Sequence, residues 1–228
     1  MKKLFTLLFL VVLLFSFSII KAQPTISLGA RAGLSLANLS FDPDIPSQIS
    51  KSSRTGFKIG GLAEIGFIPM LAVQIEPMFA TGGTELSGPI FNNGFSSVSG
   101  KITYKISYLE IPILLKLKIP VPGSISPYVF AGPNIGFIMS SKESDEPSGY
   151  NSSETDLKDY VSSVNFALDF GAGAGFKVNA LTTVLLDVRY SLGLTNVLND
   201  KGKQNYGGNQ SIKSNAIQIV AGVMFALK

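Results

Sequence analysis

From about residue 25 onward, apolar side chains recur at every second position over long stretches, with small or charged residues between them. A period of two places alternate side chains on opposite faces of a strand, so the pattern predicts β-structure along most of the chain. Clusters of Gly, Ser, Asn, Asp and Pro interrupt it and mark the turns. Eight strands are predicted, at about 25–38, 55–68, 71–84, 101–118, 126–140, 162–178, 181–196 and 213–227. In the last, Ile217, Ile219, Ala221, Val223, Phe225 and Leu227 share one face, and Gln218, Gly222 and Lys228 the other. The seventh sets Val184, Leu186, Val188, Tyr190, Leu192 and Leu194 against Thr183, Asp187, Arg189, Ser191 and Gly193. The fourth breaks the rule: Leu109, Ile111, Ile113, Leu115 and Leu117 share a face, while Ile102, Tyr104 and Ile106 fall in the opposite phase. A bulge near Ser107-Tyr108, or emergence from a membrane there, would account for the change.

The connections alternate in length. Those at Pro69-Met70, Ile119 to Ile125 and Asn179-Ala180 are short; those at about 40–54, 85–100, 141–161 and 197–212 are long. A meander of this kind gathers every long loop at one end, as in outer-membrane barrels with tight periplasmic turns and longer extracellular loops. The expected fold is therefore all-β, an eight-stranded antiparallel up-and-down transmembrane β-barrel.

Alternation alone does not say which face is outside, and a soluble lipocalin-like periplasmic carrier shares it. The less apolar face decides in favour of a membrane. It carries both signs of charge sparsely, among many glycines such as Gly29, Gly60, Gly132, Gly171 and Gly173. A water-facing surface would carry larger polar groups, whereas an eight-stranded barrel has an interior just wide enough for side chains to fill. Arg31, Glu64, Glu76, Glu110, Lys116, Asp169, Asp187 and Arg189 are accordingly expected to form a charge network in the lumen. Phe57, Phe67, Phe79, Tyr104, Tyr108, Tyr128, Phe137 and Tyr190 are candidates for interfacial aromatic girdles.

The first 22 residues have the plan of a cleaved secretory signal peptide: Met1-Lys2-Lys3, an apolar run from Leu4 to Ile20, then Lys21-Ala22. Two units follow, a signal peptide at 1–22 and an outer-membrane barrel domain at 23–228. Three of the 19 basic residues lie in the leader, which leaves 16 against 15 acidic ones. Nucleic-acid binding thereby loses its electrostatic footprint. The chain has no Cys, which excludes an acylated lipobox, disulfides and thiolate metal sites.

It also has no His. Outer-membrane hydrolases and transferases generally use an imidazole base, so no enzymatic activity, catalytic residue, cofactor or metal site is expected. Asp187 with Glu64 or Glu76 would be the pair for glycosidase-like chemistry, but a structural lumen network is the better reading. Gly171-Ala172-Gly173-Ala174-Gly175 lies in a strand with no helix after it, and reads as lumen packing, not as a dinucleotide fingerprint. The acidic stretch from Lys142 to Asp159 reads as a solvated loop in preference to a Ca²⁺ site.

The segment Tyr108-Leu109-Glu110-Ile111-Pro112-Ile113-Leu114-Leu115-Lys116, followed by Pro127-Tyr128-Val129-Phe130-Ala131-Gly132-Pro133, resembles the core of the Bacteroidetes outer-membrane β-barrel family. That family includes PorT-like proteins and is akin to OmpA-like small porin-family barrels. Gly56 to Gly61, Gln74 to Pro77 and Asp187 to Asn196 extend the likeness. The chain departs from many outer-membrane proteins in ending Phe225-Ala226-Leu227-Lys228, without a terminal aromatic for the barrel-assembly machinery. The resemblance implies an outer-membrane location, contact with lipid and assembly machinery, a monomer, and a link to secretion or envelope integrity. On this reading the barrel anchors extracellular loops for structural or partner-binding roles, and the alternative is a small porin or transport accessory.

Overall fold

The computed structural model describes residues 24–92, 97–205 and 210–227; the signal peptide expected at 1–22, with its cleavage site, lies outside them. Ten strands form one antiparallel sheet: β1 (Thr25–Asp42), β2 (Ser50–Ile68), β3 (Leu71–Ile75), β4 (Met78–Asn92), β5 (Ser97–Lys118), β6 (Ile125–Pro147), β7 (Ser153–Asp156), β8 (Val164–Lys177), β9 (Thr182–Gly193) and β10 (Ser211–Ala226). A 3₁₀ turn at Lys158–Tyr160 and a short helix α1 (Asp200–Asn205) lie in the last two long connections. No helix among the described residues is long and apolar enough to cross a membrane.

The pairings run β5-β4-β2-β1-β10-β9-β8-β6, and β6 pairs in turn with β5, so the ladder returns to its starting strand. A ladder that closes leaves no row of unpaired backbone groups, which hydrocarbon would not tolerate. β3 and β4 both pair with β2 and with β5, and their registers are continuous: Ile75 faces Ile113 and Met78 faces Glu110. The interruption falls at Pro77, which has no N–H to give the ladder. Its neighbour Glu76 still donates its backbone N–H to Pro112 O at 3.1 Å. β7 is an addition that pairs only with the distal part of β6.

The tight turns fall after Ile68, Lys118 and Lys177, as the sequence predicts, and both barrel termini lie at that end. The long connections are shorter than the sequence suggests, because strands run into them. Residues 85–92 and 97–100 continue β4 and β5, residues 141–147 continue β6, and 153–156 form β7. Their composition is turn-like, but a hairpin already in register extends at little cost whatever its side chains.

The fourth predicted strand, β5, contains no bulge. Its pairing with β4 is unbroken from Glu110 to Gly100, and the extra residue is Met139 on β6, between the pairs Ser107–Ser140 and Tyr108–Ile138. Ile106 therefore stays on the inward face with Tyr108, Leu114 and Lys116. It packs with Leu39, Ala80, Tyr108, Ile138, Val161 and Val197 in an apolar cluster at the long-connection end. The change of apolar phase marks an apolar plug inside the ladder, with no change in the strand.

The outward face is apolar over the tight-turn side: Leu28, Leu34, Ile59, Leu115, Val188, Ile219 and Phe225 are all exposed. Such a continuous exposed apolar band is the mark of a lipid contact. Higher on β4, β5 and β6 the same outward face becomes charged. Lys101 lies 3.7 Å from Glu85 and 3.8 Å from Glu146, and Glu154 of β7 pairs with Lys105 at 3.1 Å and Lys142 at 2.7 Å. The hydrocarbon boundary on this wall therefore falls near Ser107.

Candidate functional site: the sealed lumen

The interior side chains project from alternate positions of every long strand, and glycines opposite make room for them. A Cβ at Gly222 would meet Arg31 Cγ at 2.9 Å, and one at Gly173 would meet Asp187 Oδ1 at 2.4 Å and Tyr128 Cε2 at 2.7 Å. At Gly171 it would meet Phe130 Cζ at 2.9 Å. The Gly-Ala-Gly-Ala-Gly run is thus a relief cut into β8 for side chains borne by β6 and β9, and Gly222 of β10 makes the same room for Arg31 of β1.

Four of the eight predicted lumen residues meet at the centre. Arg31 bonds Glu76 and lies 2.7 Å from Asp187; Arg189 lies 2.8 Å from Glu76 and 2.9 Å from Asp187. Two guanidinium groups and two carboxylates alternate, and all four side chains are at most 1% exposed. Charges so removed from water persist because each is paired and hydrogen-bonded. Glu64 and Lys116 form a second group nearer the tight turns, 2.9 Å apart, with Lys118 2.6 Å from the other Glu64 oxygen. Gln74 joins the two groups: its amide donates to Glu76, and its carbonyl accepts from Lys116 Nζ at 3.1 Å.

Glu110 stands apart with Lys58, at 2.6 Å, and Lys58 also donates to Gln218 Oε1 at 2.9 Å. Asp169 forms no ion pair among the described residues. Instead it accepts from Ser191 Oγ at 2.5 Å and Asn134 Nδ2 at 3.1 Å. The eight residues thus fall into three charge groups and one acid held by hydrogen bonds alone.

Sequence reading missed the polar and aromatic members that tie these groups together. Tyr128 and Tyr108, proposed for the interfacial girdle, point inward and are buried. Tyr128 donates its hydroxyl to Asp187, and its ring lies 3.8 Å beneath Lys116 Nζ. Phe130 similarly lies 5.2 Å from the Arg189 guanidinium. The even parity that Tyr128 and Phe130 share with Gly132 was the available signal; aromatic residue type obscured it. Phe57, Phe67, Phe79 and Phe137 do face outward.

Leu62, Leu114, Tyr128, Phe130, Leu185 and Met224 fill the space around the charges as one packed cluster. Glu64, Glu76 and Asp187, the acids considered for glycosidase-like chemistry, are each paired with cations in this packed interior. Among the described residues no His, Cys, Asp or Glu group is placed to hold a metal.

The family model described as "Outer membrane protein beta-barrel domain" matches residues 21–199. The chain belongs to this family. It is an outer-membrane β-barrel protein, and its apolar wall sits in lipid. Among solved structures, OprG of Pseudomonas aeruginosa is similar at 14% identity and TM-score 0.52, covering 90% of this chain and 96% of that one. Neisserial surface protein A matches at 14% identity and TM-score 0.46, over 90% of this chain and 99% of that one. Ail, the attachment invasion locus protein of Yersinia pestis, matches at 14% identity and TM-score 0.41, over 88% and 98%. At such identities only the fold of the outer-membrane barrel carries over. Among curated proteins no relative matches.

Proposed function

We propose that the protein is a non-enzymatic, monomeric eight-stranded barrel whose sealed interior makes it a rigid mount for its extracellular connections, which serve a structural or partner-binding role. The count of eight follows from taking β3 and β4 as one strand in one register and β7 as a loop appendage. The signal peptide at 1–22 and a PorT-like, Bacteroidetes affiliation linked to secretion or envelope integrity belong to the same proposal. They rest on the leader pattern and on the Tyr108–Lys116 and Pro127–Pro133 segments.

One observation carries the proposal: two connections distant in sequence are bonded to each other over a plugged lumen. Asn199 Nδ2 donates to Asp159 O at 2.8 Å and to Val161 O at 3.1 Å, and Gly202 N donates back to Asn199 Oδ1 at 2.9 Å. Val161 and Leu198 add a β-bridge. Asn196 fastens the same segment to β10, accepting from Ile212 N at 2.9 Å and donating to Gln210 O at 2.9 Å. Connections held this way present a fixed surface, which is how scaffolds carry binding loops.

Planar-bilayer recording on the purified mature protein tests it. The proposal expects no stable openings above the background of lipid alone. Steady conductance steps would replace it with the small-pore reading.

A further inference from the structure

Above the apolar cluster the barrel is not filled. A cavity of about 170 Å³ lies between the strand ends and the bonded connections. Strand residues Phe41, Leu86 and Ile106 form its wall, and Leu157, Val197 and Leu198 of the connections form its roof. Apart from Ser141, Gln210 and two tyrosines, Tyr104 and Tyr160, the lining is aliphatic or phenylalanine. A charged or multiply polar molecule would lose its hydration there without replacement. A small apolar one would regain dispersion contacts that the void forfeits.

Size narrows the class further. Pockets for drug-sized ligands occupy roughly 300–1,000 Å³, and an acyl chain or a sugar-bearing lipid would overfill this one. A dry apolar cavity of about 150 Å³ holds benzene. We infer that this cavity is a binding site for one small uncharged aromatic molecule of the size of toluene or indole.

The wall fixes the direction of supply. Glu85 beside Leu86, Lys105 between Tyr104 and Ile106, and Lys142 beside Ser141 put charge on the outer surface at the level of the cavity. This level therefore stands in water beyond the hydrocarbon, and the ligand arrives from outside the cell. Below, Tyr108, Ala80 and Ile138 close the floor, with the Lys58–Glu110 pair further in. The site is a dead end that senses or retains a solute and does not conduct it.

The chain has no Trp, so the mature protein in lipid nanodiscs adds no indole emission of its own to that of bound indole. Empty nanodiscs give the share due to partitioning. Saturable blue-shifted emission at one indole per barrel, displaced by toluene, is expected. In Leu86→Phe/Val197→Phe, which fills the cavity, affinity should fall about tenfold or more, the scale of an overpacking penalty. Heat-modifiable migration verifies that the variant folds. Ile106→Ala, which enlarges the cavity, should raise affinity for naphthalene relative to indole and tests the inference even if the filled variant misfolds. Emission indistinguishable from empty nanodiscs, or binding unchanged in both variants, would overturn it. Because the readout is binding, it is independent of whether the barrel conducts or its connections meet a partner.

Discussion

Replacing Glu76 by Gln removes one charge from a group of four and leaves two arginines facing Asp187 alone. At an effective dielectric constant of about 20, two unit charges 2.8 Å apart attract by about 6 kcal/mol, so the gross terms are large. Desolvation of the ions already cancels much of this in the wild type. What the substitution exposes is the uncompensated guanidinium, since both arginine side chains are wholly buried. Breaking such a pair costs about 3–5 kcal/mol, or about two to four decades in the folding equilibrium. Urea titration in lipid vesicles, with the folded fraction read from heat-modifiable migration, measures this directly. Arg31→Met/Glu76→Gln restores neutrality and keeps the Arg189–Asp187 contact of 2.9 Å. It should recover most of the loss, because an apolar replacement of a buried pair is often near neutral. A Glu76→Gln variant within about 0.5 kcal/mol of wild type, typical of an open surface site, would refute the idea of a dry, sealed centre. So would a double variant whose loss equals the sum of the single losses.

Gly173→Ala should destabilise the barrel by about 1–3 kcal/mol through overpacking against Tyr128 and Asp187, measured in the same urea titration; no change would mean those side chains have room to withdraw. Asn199→Ala should leave the barrel folded but release the bond between the last two long connections, and proteolysis at 157–205 should become faster while heat-modifiability persists. Hydrogen bonds from Lys142 and Lys105 hold the Glu154 carboxyl below its ordinary range. The link from β7 to the β5–β6 hairpin is therefore fully present above the ordinary glutamate pKa, about 4.3, and is lost as pH falls through the depressed value. Amide exchange at 153–156, corrected for its intrinsic pH dependence, should show protection vanishing only in that acid range.

Much of the barrel was legible because its two faces meet different media. Ile217 to Leu227 and Val184 to Leu194 alternate cleanly, as lipid on one side and packed lumen on the other demand. Legibility failed where those media change. Ile102, Tyr104 and Ile106 looked out of phase because beyond the bilayer the outer wall turns charged and the inner one apolar. The same physics hid the strand extensions at 85–92, 97–100 and 141–147, whose polar composition suits a loop and a solvent-facing strand alike. Within the site, strand parity put the eight charged residues on one face, but the network drawn from it did not separate Asp169, which has no ion pair among the described residues, or include Lys58, which pairs with Glu110. Parity could not pair them, since partners such as Glu76 and Arg189 are 113 positions apart and closure alone brings them together. Tyr128 was misplaced because an aromatic near a strand end suits a girdle or a lumen equally, and only its phase relative to Gly132 distinguishes them.

The glycines opposite the long lumen side chains also constrain how the barrel can change. Each acts as a mould for a residue elsewhere in the chain: Gly222 for Arg31, Gly173 for Tyr128 and Asp187, and Gly171 for Phe130. Volume lost on one strand can be restored only on its counterpart, so viable substitutions in the interior come in pairs. A redesign that hollows out the lumen must therefore begin with the large partner, whereas one that thickens the wall at a glycine must shorten that partner first.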